Sequence, residues 1–271
     1  MSEGVKSVNA HLNNGVKTKS KTWVLPEECP IAIYIDGESE KGETYAVMLT
    51  TPLDLIDFAY GFCLSEGLVK ATDAIISVKQ KLARDGVELH VKLNDDAYDR
   101  FQIIERRRRL AGASGCGVCG LTSLSHIVED LPKIDSELTI RIAAIQKARV
   151  QLRDHTPLNQ SSFSVHAAAF VDKDGDILLV REDVGRHNAL DKLCGALTQQ
   201  DIDISQGFVL LTSRFAYELA QKCIKSGVPI VISISAPTTM AVNMAKKANM
   251  TFAAFDGDSD LMVFSNAERL I

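Results

Sequence analysis

The chain has 271 residues, 46% hydrophobic and 24% charged, with a formal net charge of −5. That length suits about two cores, and the balance excludes a disordered or collagen-like chain. The acidic surplus argues against a nucleic-acid surface, which needs many Lys and Arg contacts to phosphate.

Residues 1–22 are polar, lack a secretory-type apolar run and read as a flexible tail. Strand signals follow at 31–35 and 45–49, with Asp36-Gly37 as a turn between them. Thr51 reads as an N-cap and Pro52 as the first position of a helix that Gly67 ends. Strands at 75–78 and 87–93 flank Asp85-Gly86, and the alternation of Val87, Leu89, Val91 and Leu93 puts His90 on the solvent face. A helix is expected over 95–110, with Arg106 to Arg109 as a solvated helix end. Short helices are expected at 121–128 and 142–152. From residue 165 strands and helices alternate: strands at 165–171, 177–180, 208–211, 230–234 and 251–255, helices at 187–197, 215–225 and 239–248. The nearly continuous apolar runs 208–211 and 229–234 suit strands covered on both faces of a mostly parallel sheet. A last strand at 261–264 reads as an edge.

The fold class is therefore α/β. It divides into the tail, an α+β unit over 23–135 that ends in a cysteine loop and its helix, and an α/β unit over 136–271. No run approaches the roughly 18 apolar residues of a membrane-spanning helix. Four of the six cysteines, Cys29, Cys63, Cys194 and Cys223, are scattered among apolar residues, which is cytoplasmic usage.

The other two, Cys116 and Cys119, lie in Gly115-Cys116-Gly117-Val118-Cys119-Gly120. The glycines allow a tightly curved, exposed loop. The arginine run and a following helix N-terminus would favour a thiolate, the form that attacks sulfur or holds it as a persulfide. Half a zinc site and a thioredoxin-like dithiol compete with this reading. A zinc deaminase needs His-x-Glu ahead of Pro-Cys-x-x-Cys, and neither element is present.

A second cluster, Arg181 to Lys192, falls where a strand ends and a helix begins, and Thr212-Ser213-Arg214 and Ser233 to Thr239 occupy two further crossings. Ligands collect at such strand ends, and helix N-termini attract phosphate. On the plainer reading, Glu182, Asp183 and Asp191 are cap or turn residues and His187 is a satisfied histidine. His166 by itself reads as a hydrogen-bonded core histidine.

Taken together, the cysteine loop, Glu182-Asp-Val-Gly-Arg-His-Asn-Ala-Leu-Asp-Lys192 and Ser235-Ala-Pro-Thr238 resemble the formate dehydrogenase accessory sulfurtransferase family. Thr51 to Leu55, Gly61 to Gly67, and Ser213-Arg214 with Glu218 and Lys222 extend the likeness. The resemblance implies a cytidine-deaminase-like α/β core without its zinc, Cys116 as the persulfide bearer and Cys119 as a relaying or resolving thiol. It implies a sulfur carrier that takes sulfane sulfur from a cysteine desulfurase and delivers it to the molybdenum bis(molybdopterin guanine dinucleotide) cofactor, bound as cargo, before formate dehydrogenase receives it. No permanent metal, nucleic acid or membrane partner is expected, and a homodimer is. The expected cofactor contacts are Phe255, Asp256, Gly257, Asp258, Ser259 and Asp260, with the guanine nucleotide moiety at Arg186, His187, Ser213, Arg214 and Ser235. The family commonly carries an arginine two residues after the Phe, where this chain has an acidic turn, and a glycine pair where this chain has Phe163-Ser164-Val165 ahead of His166. A thiol-disulfide oxidoreductase using Cys116 and Cys119, or a cofactor-binding chaperone without sulfur transfer, are the alternatives.

Overall fold

The structure is a computed structural model that describes residues 4–13, 15, 17–110 and 131–271. The cysteine loop with Cys116 and Cys119, and the helix expected at 121–128, lie outside the described residues, as do the side chains of Arg106 to Arg109.

Residues expected as a flexible tail instead form a two-stranded antiparallel ribbon, β1 (Val5–Asn13) with β2 (Thr18–Pro26), paired residue for residue from Val5–Pro26 to Asn13–Thr18. The expectation rested on polarity alone, and a solvent-facing ribbon can be polar.

The first core lies under a four-stranded sheet. Its strands are β3 (Cys29–Asp36), β4 (Thr44–Thr50), β5 (Ile75–Ala83) and β6 (Gly86–Leu93), in the order β4-β3-β6-β5. Ile31, Ile33, Ile35, Leu89, Val91 and Leu93 alternate onto one face. There they meet Phe58, Ala59 and Phe62 of α1 (Leu55–Ser65) and Phe101 of α2 (Asp95–Leu110). Two expectations change here. His90 is only 8% exposed: Tyr34 stacks on it at 4.6 Å, and Asp36 and Glu88 hold its two ring nitrogens at 3.0 and 3.1 Å. Alternation assigned its face correctly, but neighbouring side chains cover that face. Thr51 does not cap α1, which starts after Asp54 in the left-handed region at φ 53°; the Thr51 hydroxyl oxygen, the atom a cap would use, accepts from the Val184 N–H at 3.2 Å instead.

The second core is a three-layer α/β/α stack. A six-stranded sheet runs in the order β12-β11-β10-β9-β7-β8. These strands are β7 (His166–Asp172), β8 (Ile177–Asp183), β9 (Gly207–Leu211), β10 (Ile230–Ser233), β11 (Thr251–Asp256) and β12 (Asp260–Ser265). Parallel pairing is confined to β9, β10 and β11; antiparallel β12 covers one flank and antiparallel β7 leads to β8 on the other. Period-two alternation explains the layers. Val209 and Leu211 face α5 (Arg186–Gln199), α6 (Tyr217–Lys225) and α7 (Thr239–Lys247), while Phe208 and Leu210 face α3 (Ile142–Leu152). A six-residue helix that the sequence pattern did not suggest, α4 (Pro157–Ser162), precedes β7. It ends on Phe163 at φ 55°, backbone that glycine adopts most readily.

The two cores meet where α1 crosses α5. A Cβ built on Gly61 would lie 1.8 Å from the Asp191 carbonyl oxygen, and one on Gly195 would lie 1.9 Å from that of Asp57. No side chain fits in either place. We expect Gly61→Ala and Gly195→Ala each to destabilise the chain by about 3 kcal/mol or more through overpacking; urea denaturation matching the parent protein would contradict this close crossing.

Candidate functional site

Much of the segment 181–192 is occupied in joining the two cores. Asp183 is fully buried, and five donors converge on its carboxylate. Oδ2 accepts from Thr50 Oγ1 at 2.5 Å, the Thr51 N–H at 2.9 Å and Lys192 Nζ at 2.7 Å. Oδ1 accepts from the Gly185 N–H at 2.7 Å and Asn188 Nδ2 at 2.9 Å. Lys192, 0% exposed, also donates to the Thr51 carbonyl at 2.9 Å. Burial lowers the Lys192 pKa, and the Asp183 charge opposes that shift.

A second buried set lies on the other side of the crossing. Lys222 donates to Asp191 Oδ2 at 2.9 Å, Glu66 Oε1 at 3.0 Å and Ser65 Oγ at 2.7 Å, while Ser65 donates to Asp191 Oδ1 at 2.7 Å. Burial works against the Lys222 charge, yet the Asp191 and Glu66 carboxylates outweigh it and push its pKa up to about 12. Burial raises Asp191, with Lys222 and Ser65 pulling it back. Glu182 receives the N–H groups of Leu158 and Asn159 at 2.9 and 2.8 Å, so it caps the first turn of α4. Arg181 pairs with Asp57 of α1 at 2.7 Å. These acidic residues are therefore structural, as the plainer reading held, although only Glu182 serves as a cap.

Arg186 and His187 remain, in the first turn of α5, and they are not satisfied. Arg186 Nε and His187 Nε2 are buried and have no hydrogen-bond partner among the described residues; Glu218 lies 3.8 Å from His187 Nε2. Burial, then the Arg186 charge, lowers the His187 pKa to about 4; Glu218 and Glu66 oppose this and Lys222 adds to it. His187 is thus neutral at pH 7. His166, the first residue of β7, is half-buried at this edge, and burial with the Arg186 charge lowers its pKa too.

Strand directions bring the remaining candidates to the same edge. The carboxyl ends of β8, β9, β10 and β11 point one way, because β7 runs antiparallel to both β8 and β9. Ser213 and Arg214 follow β9, with Ser213 2% exposed and Arg214 exposed. Ser235 follows β10 and donates to the Thr212 carbonyl at 3.2 Å. The Thr238 N–H donates to the Phe215 carbonyl at 2.9 Å, tying the two loops together. The acidic turn Asp256 to Asp260 joins β11 to β12 at the far end of the row.

That turn fits a phosphate poorly by itself, since like charges repel. A cation from elsewhere offsets this: the Arg149 guanidinium of α3 stacks 4.1 Å above the Phe255 ring and reaches Asp258 Oδ1 at 3.5 Å. Phe255 is 8% exposed and belongs to the core facing α3. Arg149 went unnoticed in the sequence because it lies over 100 residues from the turn; a lone arginine on an amphipathic helix carries no signal of its own.

All four described cysteines are held as thiols. Burial pushes Cys63 and Cys194 up to about 12 and Cys223 well above its usual value. Burial and then Glu27 raise Cys29. Among the described residues no group of three or more His, Cys, Asp or Glu is placed to hold a metal ion, and no helix is long and apolar enough to cross a membrane.

The arrangement defines a mixed α/β protein with an unsatisfied cationic edge, locked by buried ion pairs to a second α/β core. The chain belongs to the FdhD/NarQ family, whose model matches residues 26–271. It is 38% identical over 267 residues to a sulfur carrier protein FdhD of Variovorax paradoxus, covering 98% of this chain and 91% of the relative. It is 41% identical over 246 residues to the Cupriavidus necator protein of the same name, covering 91% and 83%. A crystal structure described as a formate dehydrogenase accessory protein from Desulfotalea psychrophila shares the fold, with a TM-score of 0.75 over 98% of this chain and 99% of that one at 19% identity.

The low His187 pKa carries a stability consequence. The unfolded chain protonates this imidazole near 6.5 and the folded chain only near 4. Between those values the unfolded state binds more protons, so stability falls as pH drops from about 6.5 towards 4 and this contribution levels off below that. The loss is at most roughly 3 kcal/mol, and His187→Gln should remove it. NMR titration of the ring checks the premise; a midpoint above pH 6 would overturn it.

Proposed function

We propose that this chain is a sulfur carrier serving formate dehydrogenase maturation, with Cys116 as the persulfide-bearing residue and Cys119 as a second thiol. The Cys116 thiolate attacks the terminal sulfur of a cysteine desulfurase persulfide; the donor S–S bond breaks and the donor cysteine leaves as its thiolate. Cys119 then attacks the inner sulfur of the Cys116 persulfide, and that S–S bond breaks. The outer sulfur leaves at the sulfide level for the molybdenum bis(molybdopterin guanine dinucleotide) cargo before formate dehydrogenase receives it, and the resulting Cys116–Cys119 disulfide is returned to two thiols by a dithiol reductant. The printed name of the relatives supports the carrier role. The observation that carries the assignment to Cys116 and Cys119 is that the four described cysteines are protonated at neutral pH, three of them fully buried, and a thiol is the unreactive form. For the cargo, the unmet Arg186 Nε–H and the unpartnered His187 ring nitrogen at the start of a 14-residue helix support phosphate contact beside Ser213, Arg214 and Ser235.

After incubation with a desulfurase and cysteine, intact mass should show one added sulfur, removable by dithiothreitol and absent from Cys116→Ala. Persistent addition in that variant would refute the residue assignment. An oxidoreductase would instead lose two hydrogens in a disulfide and reduce substrate disulfides without any sulfur donor.

Guanosine diphosphate should bind the unmodified chain, and Arg186→Gln should weaken that binding about tenfold or more, the worth of a charge-assisted hydrogen bond. Calorimetry showing equal affinity would remove Arg186 from the site.

A further inference from the structure

The acidic turn between β11 and β12 is held by α3. Gln146 Nε2 donates to the Ser259 carbonyl at 3.2 Å, and about one helical turn further on Arg149 Nη2 donates to Asp258 Oδ1 at 3.5 Å. The Phe255 ring lies against the guanidinium at 4.1 Å and, being packed into the core, fixes its plane. Arg149 Nη1 is buried and has no partner among the described residues. Asp258 is fully exposed, so the ion pair adds little to stability, and its carboxylate keeps lone pairs open to solvent.

The row Nη1, Nη2, Oδ1, Oδ2 presents two donors followed by two acceptors. That order complements one edge of guanine, where N7 and O6 accept and N1–H and the 2-amino group donate. Adenine carries an amino group at the O6 position and a bare nitrogen at N1, so donors would face donors and the carboxylate would face a lone pair. A carboxylate beside a guanidinium therefore explains both the turn's poor fit to phosphate and its fit to this base. Position agrees. The turn follows β11 and Ser213-Arg214 follow β9, two strand spacings or about 10 Å away, a span that a nucleoside diphosphate covers from base to phosphate.

We propose that Arg149 and Asp258 read the guanine base of the cargo while Arg186, Ser213, Arg214 and Ser235 take its phosphates; the inference rests on the nucleotide contact proposed above. Asp258 accepts from N1–H and the 2-amino group, and Arg149 donates to O6 and N7. Phe255 is a positioning residue that acts through Arg149. Asp256 and Asp260 flank the turn and repel phosphate, which keeps the diphosphate away from this end of the row. The carboxylate thus supplies the choice of base, and the arginine edge supplies an attraction that every nucleotide shares.

Calorimetry on the full chain should show guanosine diphosphate binding about tenfold or more tighter than adenosine diphosphate. Asp258→Asn exchanges a carboxylate oxygen for an amide donor. It should weaken guanosine diphosphate about tenfold and turn the preference towards xanthosine diphosphate, whose base bears an oxygen in place of the 2-amino group. Arg149→Met keeps an apolar stem on Phe255 and should weaken guanosine diphosphate by a similar factor without weakening adenosine diphosphate. Arg186→Gln should weaken all these nucleotides alike and leave the preference intact. A parent chain that binds guanosine and adenosine diphosphates equally overturns the base reading and leaves the phosphate edge standing, as does an Asp258→Asn variant that keeps the parent's preference. Binding of neither nucleotide by the parent chain overturns both.

Discussion

Asp183 and Lys192 form an ion pair with no exposure on either side chain, and the relation between the two halves of the molecule depends on it. Burying two charges costs several kcal/mol each, which only close geometry and further hydrogen bonds offset. Here Thr50, Thr51, Gly185 and Asn188 supply those bonds. Two of these four donors end or follow β4 in the first core and two precede or begin α5 in the second. The pair is therefore satisfied only when the two cores are docked. Losing one partner would leave a naked buried charge, a penalty that makes the docked arrangement specific as well as stable.

That lock determines what the second core can present. Glycines at 61 and 195 let the α1 and α5 backbones touch, and the Asp191–Lys222–Glu66 set holds α6 to the same crossing. With α5 fixed, its first turn stands at the carboxyl edge of β8, and Arg186 and His187 are held there with polar atoms unmet. Buried donors and acceptors are ordinarily paired, and these two neighbouring exceptions are what supports the nucleotide contact proposed for this edge. Lowered pKa values keep both His187 and His166 neutral there, leaving the positive charge of this edge to Arg186 and the exposed Arg214. At the far end of the row Arg149 performs the corresponding task for an acidic turn that has no cation of its own.

The division of labour follows from burial. Cysteines packed into the two cores are protonated and inert, whatever their number, because a thiolate cannot be solvated there. On the proposed function, the reactive sulfur is assigned to the two remaining cysteines of the sequence, Cys116 and Cys119.

Period and apolar runs were enough to locate the two sheets, most helices and the edge where strands end, since these follow from local alternation and from the need to bury one face. Motif spacing likewise singled out Cys116, Cys119, Arg186, His187, Ser213 and Ser235 as candidates. Only the tertiary structure decided which members of 181–192 hold the cores together and which are left over, because that depends on partners such as Thr50 and Ser65 more than 100 residues away. The same distance hid Arg149 beside Phe255, the cover over His90 and the conversion of a polar N-terminal stretch into a paired ribbon. Contacts of that kind arise from which faces meet, and a linear pattern records only which faces exist.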